Sequence, residues 1–170
     1  MKLKAKLIST IAAFAMVLCL TIVGVWATAT VTVSVTGTVS YTATDVDATV
    51  TGTITGITES GKNFEKTFNA ASTENSGAWN LSGITFVKNQ DVVITLNVKN
   101  NSTERPLQAT LANNGEDTGT NTTAALGETK TSTIAARDNA SFTFTIKVTD
   151  WNKAASYGIN LMLTLNNQAA

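Results

Sequence analysis

The stretch DVVITLNVKN, residues 91–100, alternates apolar and polar side chains without a break. This alternation is typical of a β-strand with one buried face, because successive side chains on a strand point to opposite sides. The stretch SFTFTIKVTD, residues 141–150, repeats the pattern. The positions that we expect to face inward are Val92, Ile94, Leu96, Val98, Phe142, Phe144, Ile146 and Val148. These two stretches predict a sheet that packs one face into a core.

The two stretches also align with each other at an offset of 50 residues, which places Ile84 on Ile134 and Val92 on Phe142. Each unit then consists of a short strand, a polar turn and a long strand. Because any two amphipathic strands match in phase, chance agreement is the alternative interpretation. The shared leading isoleucine favours one structural plan that is used twice.

Alternation recurs through the rest of the chain. Residues 31–41 predict a long strand bent at Gly37, and residues 46–54 predict a second strand with a threonine outer face; we expect these two to form a hairpin. Residues 113–127 are predicted to be a long polar loop. Further strands are predicted around residues 64–68, 79–86, 107–111 and 159–165.

About eight strands at regular spacing, separated by polar turns, predict an all-β fold. We expect residues 28–170 to form a single domain, a two-sheet antiparallel sandwich of jelly-roll or immunoglobulin-like type. A closed barrel is not excluded by periodicity. The chain holds 31 threonines and one proline, and threonine suits a pleated, half-exposed surface.

Residues 7–26 carry no charge, and Lys2, Lys4 and Lys6 precede them. This pattern is typical of an export signal. Small residues favour cleavage near Ala27 or Ala29, and the alternative is that residues 1–27 stay as a membrane-anchor helix. We therefore expect a secreted or cell-surface protein that contacts a membrane only through residues 7–26, if these are retained.

The part that follows residue 27 holds 9 basic and 12 acidic residues, a net charge of about −3, so a nucleic-acid partner is not expected. The only cysteine, Cys19, falls within the signal, so the domain is expected to have no disulfide.

The whole chain lacks histidine, which removes the usual triads and zinc sites. Asp45 with Asp47, and Glu116 with Asp117, are the closest pairs of acids, but acids commonly cap turns. Residues 113–121 are rich in oxygen ligands but lack the spacing of a calcium loop. We expect no catalytic residue, no cofactor and no metal, and therefore not an enzyme.

Three aromatic residues form a candidate ligand platform: Trp79, Trp151 and Tyr157. Stacking of sugar rings on them would make the protein a carbohydrate-binding or host-binding surface module with a polysaccharide partner. The alternative interpretation is that they pack in the core or at its rim.

Three blocks of the sequence resemble a known family. They are the signal KLISTIAAFAMVLCLTIVGVWA at residues 6–27, ITFVKNQDVVITLNVKNNSTERPL at residues 84–107, and TIAARDNASFTFTIKVTDWN followed by YGINLMLTLNNQ at residues 133–152 and 157–168. In pattern and order these blocks are similar to the TasA/camelysin group of bacterial surface and biofilm matrix proteins. The resemblance implies a jelly-roll-like sandwich, secretion and assembly into extracellular matrix fibres.

Cleavage near Ala27 would free the uncharged, alternating segment TATVTVSVTGTV, residues 28–39. A strand of this kind pairs with a sheet edge. Our leading hypothesis is a structural protein that self-associates or binds other surface proteins by strand complementation, with Val31, Val33 and Val35 as anchors. The alternative is that the strand pairs within its own sandwich.

Overall fold

In a computed structural model of the chain, the described residues are 33–59, 62–70, 76–114 and 119–168. They form strands and no helix. The eleven strands of these residues are β1 (Val33–Thr44), β2 (Ala48–Thr55), β3 (Phe64–Phe68), β4 (Ser76–Asn80), β5 (Ile84–Thr85), β6 (Val92–Asn100), β7 (Leu107–Asn113), β8 (Thr122–Leu126), β9 (Thr131–Ile134), β10 (Asn139–Val148) and β11 (Ala155–Asn167).

The strands form two sheets in a sandwich-like arrangement, as the sequence predicts. Sheet A has the order β4-β1-β11-β7-β9, with β5 also paired to β1. Sheet B has the order β3-β2-β6-β10-β8. Among the strand pairs of the described residues, β1 with β11 is parallel and the others are antiparallel.

The two long stretches that decide the fold are neighbours at the centre of sheet B. Their register places Phe142 beside Leu96 and Phe144 beside Ile94. All four of these side chains are at most 1% exposed. Because the polar residues between them face away from the core, the predicted alternation is confirmed in β6 and β10.

The two units that align at an offset of 50 residues occupy corresponding places in the sandwich. Ile84 on β5 and Ile134 on β9 are both buried in sheet A. From each, a turn leads to a long strand of sheet B, and each turn contains a residue with positive φ, Asn89 at 62° and Arg137 at 64°. This correspondence supports one plan used twice.

The predicted hairpin between the first two strands is wrong. Strand β1 belongs to sheet A and β2 belongs to sheet B, so they share no hydrogen-bonded ladder. The residues between them, Asp45–Asp47, carry the chain across the sandwich, with Asp45 at a φ of 50° and Val46 only 5% exposed. Each strand buries its apolar face by packing against the opposite sheet rather than by turning back on its neighbour.

The prediction of an unbroken loop over residues 113–127 is also wrong, because β8 lies within it and pairs with β10. The inward positions of β8 are held by small or partly buried residues such as Ala124, so its alternation is weak. The predicted signal helix and anchor, residues 1–27, lies outside the described residues. Within the described part of the chain, no helix is long and apolar enough to cross a membrane.

Candidate functional site

The candidate assembly strand lies inside sheet A. Strand β1 forms a parallel ladder with β11 that runs from the pair Val33–Ala155 to the pair Thr44–Asn166. Its other edge pairs with β4 over residues 38–42 and with β5 at residues 34 and 35. Strand β1 is therefore hydrogen-bonded on both sides along much of its length.

The three predicted anchors, Val31, Val33 and Val35, differ in what the structure shows of them. Val31 lies outside the described residues. Val33 is in β1 and pairs with Ala155. Val35 pairs with Tyr157 and is 0% exposed, so it belongs to the core of its own subunit in this structure.

Further inward side chains of β1 complete the contact with the core. Val39 and Ala43 are buried, and Tyr41 packs between Phe64 and Phe68, with a centroid separation of 5.4 Å from each ring. Burial of a valine contributes roughly 1.5–3 kcal/mol. Sequence reasoning identified the apolar phase of this strand but not Tyr41 as its largest contact.

Gly37 allows β1 to lie close to β11. Its φ is 139°, and a Cβ atom at this position would overlap the carbonyl oxygen of Ile159. The carbonyl oxygen of Gly37 accepts a hydrogen bond from the N–H of Leu81 at 2.9 Å. A side chain at position 37 would therefore separate β1 from β11.

The connection from β1 to β2 is held by side chains of other elements. Arg105 Nη1 lies 3.8 Å from Asp45 Oδ2, and Asn167 Nδ2 donates to the same oxygen at 3.3 Å. The N–H of Asn101 donates to the carbonyl oxygen of Asp47 at 2.8 Å. A cavity of about 290 Å³ opens here, lined by Asp45, Val46, Asp47, Ala70, Asn100, Ser102, Glu104, Arg105, Pro106, Leu107 and Asn167.

This cavity contains the acid pair that the sequence offered as a weak candidate for hydrolysis. The side chains of Asp45 and Arg105 are 59% and 63% exposed, so their ion pair lies in solvent. In the described part of the chain, no three His, Cys, Asp or Glu side chains are grouped closely enough to hold a metal ion. The other candidate pair, Glu116 and Asp117, lies outside the described residues.

Asn100 is a buried residue of this region that the sequence reasoning did not single out. It is 1% exposed, and its Nδ2 donates to the carbonyl oxygens of Arg105, Ile134 and Ala135 at 2.8, 3.1 and 3.1 Å. Its Oδ1 accepts the N–H of Ser102 at 3.0 Å. The alternation in the sequence could have predicted its burial, because Asn100 continues the series of inward positions on β6.

The three aromatic residues of the candidate ligand platform each contact a different ring. Trp79 stacks on Phe64 at 5.6 Å and is 7% exposed. Tyr157 packs against Phe144 at 5.9 Å and is 2% exposed. These two side chains belong to the core, so neither offers an open face to a dissolved sugar.

Trp151, the third of these residues, is half-buried and meets the ring of Phe86 edge-on at 6.3 Å. Its turn is held by Asp150, whose Oδ1 accepts the N–H of Asn152 at 2.9 Å. This bond, together with the ammonium group of Lys153 at 3.4 Å, lowers the pKa of the Asp150 carboxyl. The three rings therefore do not form one platform. Trp151 is the one residue of the predicted platform that is not buried in the core.

Comparison of the chain with the models of known protein families and with curated proteins found no match. The likeness to the TasA/camelysin group thus rests on the sequence blocks quoted above.

Proposed function

We propose that this chain is a non-catalytic, exported structural subunit that assembles outside the cell into a matrix fibre. In the assembled form, β1 of one copy fills the place between β11 and β4 in a neighbouring copy. Export rests on the charge pattern of residues 2–27, and the role in a biofilm matrix rests on the TasA/camelysin resemblance.

The observation that carries the proposal is the ladder between the first and the last described strands. Twelve residues of β1 pair in parallel with β11, and only Asp45–Asp47 connects β1 to β2. Exchange of a terminal strand between copies re-forms the same hydrogen bonds and the same core contacts, so its free-energy change is set mainly by the connecting residues. Because the ladder between β1 and β11 is twelve residues long, β1 of a neighbouring copy would make an equally extensive contact with β11.

The connecting residues favour exchange. Asp45 has a φ of 50°, in the left-handed region that a residue with a Cβ atom occupies at a cost. Short connections under strain promote strand exchange, because the strain is released when the connection straightens. Opposing this, Arg105 and Asn167 bind Asp45 and hold the closed arrangement.

We further propose that the sandwich is of jelly-roll type. Successive strands from β4 and β5 onward switch sheets at almost every step, with β6, β8 and β10 in sheet B and β7, β9 and β11 in sheet A. Such switching is the connectivity of double-sheet jelly rolls, whereas an up-and-down barrel joins neighbouring strands of one sheet. This topology agrees with the fold that the resemblance implies.

A synthetic peptide of residues 28–44 tests the proposal. Added in excess to the assembling protein, it is expected to occupy the place of β1 at growing ends and to shorten the fibres, as measured by electron microscopy and sedimentation. The control peptide carries Gly37→Ala, which cannot lie close to β11 and should leave fibre length unchanged. Equal effects of the two peptides, or an exported protein that remains monomeric, would contradict the proposal.

A further inference from the structure

In the part of the chain that the structure describes, the outer face of sheet A is free of charge. Along each strand, the residues that alternate with buried core positions point away from the core. Among the described residues, these outward positions are Ser34, Thr36, Thr38, Ser40, Thr42 and Thr44 on β1, Ser76, Ala78 and Asn80 on β4, Thr85 on β5, Gln108, Thr110 and Ala112 on β7, Thr131 and Thr133 on β9, and Ser156, Gly158, Asn160, Met162, Thr164 and Asn166 on β11. We call this surface the sheet A face.

A charge-free face of this size is unusual for a soluble domain. Charged residues make up 14% of the chain, so about three charged side chains are expected among these 21 positions. The outer face of sheet B carries charged side chains, namely Glu65 on β3, Lys99 on β6 and Lys147 on β10. Since both faces belong to one domain, the overall composition of the chain does not explain why the sheet A face is neutral.

The middle of the sheet A face is its most apolar part. The register aligns Ala78, Ser40, Met162 and Ala112 in one row across four strands. Hydroxyl and amide side chains lie on both sides of this row. An apolar centre within an uncharged polar rim is the composition of protein–protein interfaces, in which methionine is enriched and charge is depleted.

The dimensions suit a specific contact. Five paired strands about 4.8 Å apart give a width of about 20 Å, and the twelve residues of β1 give a length of about 40 Å. A rectangle of this width and length has an area of about 800 Å². The area of the sheet A face is smaller than this, because the edge strands are shorter than β1. An interface of standard size buries about 800 Å² on each partner, so the face is at the lower end of what a stable dimer needs.

We infer that the sheet A face docks against the same face of a second copy of this chain. Hydroxyl and amide groups both donate and accept hydrogen bonds, so the surface is complementary to itself, and sheets pack face to face without charged groups. A neutral polysaccharide is a poorer match, because the described aromatic rings of sheet A, Tyr41, Trp79 and Tyr157, all point into the core. The inference does not depend on β1 exchange, since the face is the same whichever copy supplies β1.

Two threonines in equivalent surroundings provide a matched test. Thr164 lies at the centre of sheet A between Thr42 and Thr110, and Thr95 lies at the centre of sheet B between Thr53 and Thr143. Both are half-buried. Thr164→Lys places an ammonium group from each copy in the dimer contact, whereas Thr95→Lys adds a charge to a face that already carries charges.

Sedimentation over a range of concentrations measures the dimer dissociation constant. To remove strand exchange, the full chain carries Cys19→Ser, Ala43→Cys and Leu165→Cys. Ala43 and Leu165 are buried partners in the β1–β11 ladder and do not lie on the sheet A face, and the new cysteines are oxidised within one chain so that β1 cannot leave. We expect the locked protein to dimerise. Thr164→Lys should weaken the dimer by about tenfold or more, and Thr95→Lys should leave it within about twofold of the parent. The uncharged Thr164→Val should weaken the dimer less than Thr164→Lys does, because it introduces no charge into the contact.

Other results overturn the inference. These are a locked protein that stays monomeric at all concentrations, a dimer that tolerates Thr164→Lys, or a dimer that Thr164→Val disrupts equally. Binding of the monomeric locked protein to insoluble cellulose or chitin, lost in Thr164→Lys, would assign the face to a polysaccharide instead. Circular dichroism and thermal unfolding of each variant separate lost docking from lost folding.

Discussion

Gly37 and Ile159 are in such close contact that a Cβ atom on Gly37 would overlap the carbonyl oxygen of Ile159. We expect Gly37→Ala to lower the free energy of unfolding by about 1–3 kcal/mol, because the new methyl group forces β1 away from β11 and the φ of 139° disfavours a side chain. Urea unfolding measures this. Gly83→Ala is the control, since Gly83 also has positive φ but a Cβ there meets nothing within 4 Å. Equal costs for the two variants would show that the contact with Ile159 has no energetic role.

Asn100→Ala is expected to destabilise the fold by about 3 kcal/mol. The substitution leaves three buried or partly buried carbonyl oxygens without the donor that Asn100 provides. The neighbouring variant Asn101→Ala removes a single side-chain bond, to Thr49 Oγ1, and should cost less than about 1 kcal/mol. Chemical unfolding of both variants tests the difference, and a similar loss for each would contradict the assignment of Asn100 as the structural residue.

The two tryptophans of the candidate platform should behave differently when they are truncated. Trp79→Ala is expected to cost about 3–5 kcal/mol, because the ring is 7% exposed, stacks on Phe64 and fills the space beside Gly52. Trp151→Ala removes a half-buried ring and should cost markedly less. Thermal and urea unfolding compare them. If the two variants were equally stable, the placement of Trp79 in the core would be wrong.

Glu59 should make stability depend on pH in the acid range. The N–H of Thr85 donates to both carboxylate oxygens, at 3.1 and 3.0 Å, and this lowers the pKa of Glu59 below its ordinary value of 4.5. Because the folded pKa is the lower one, the stabilisation is present above about pH 4.5 and is lost as pH falls through the folded pKa.

Unfolding free energies measured from pH 7 to pH 3 check this expectation. The difference between wild type and Glu59→Gln should shrink on acidification. A constant difference between wild type and Glu59→Gln across this range would rule out the bond to Thr85 as a source of stability.

The long strands could be predicted from the sequence because their inward positions hold large apolar residues. Phe142 and Phe144 leave no doubt about the phase of β10, whereas Ala124 gives β8 almost no signal. Alternation also places Trp79 in phase with Leu81, and Tyr157 in phase with Ile159, so the inward orientation of both rings was open to prediction.

Strand partners could not be predicted in the same way. Nothing in the alternation of β1 distinguishes β2, its neighbour in sequence, from β11, its neighbour in the sheet. The choice depends on the path of Asp45–Asp47 and on the close approach of Ile159 to Gly37, which are properties of the folded chain. The neutral sheet A face likewise becomes visible only when strands distant in sequence are placed side by side.

The most direct measurement of strand exchange locates the disulfide between Thr38→Cys and Asn160→Cys in assembled material. These positions are partners in the β1–β11 ladder, and Cys19→Ser removes the only other thiol. The protein assembles under reducing conditions, is then oxidised, and is separated on a denaturing gel without reductant. If β1 exchanges between copies, the disulfides join different chains and produce a ladder of covalent oligomers, which the single variant Thr38→Cys cannot form beyond a dimer. If the assembled protein instead runs as a monomer with an internal disulfide, β1 stays in its own sandwich and the proposed assembly is wrong.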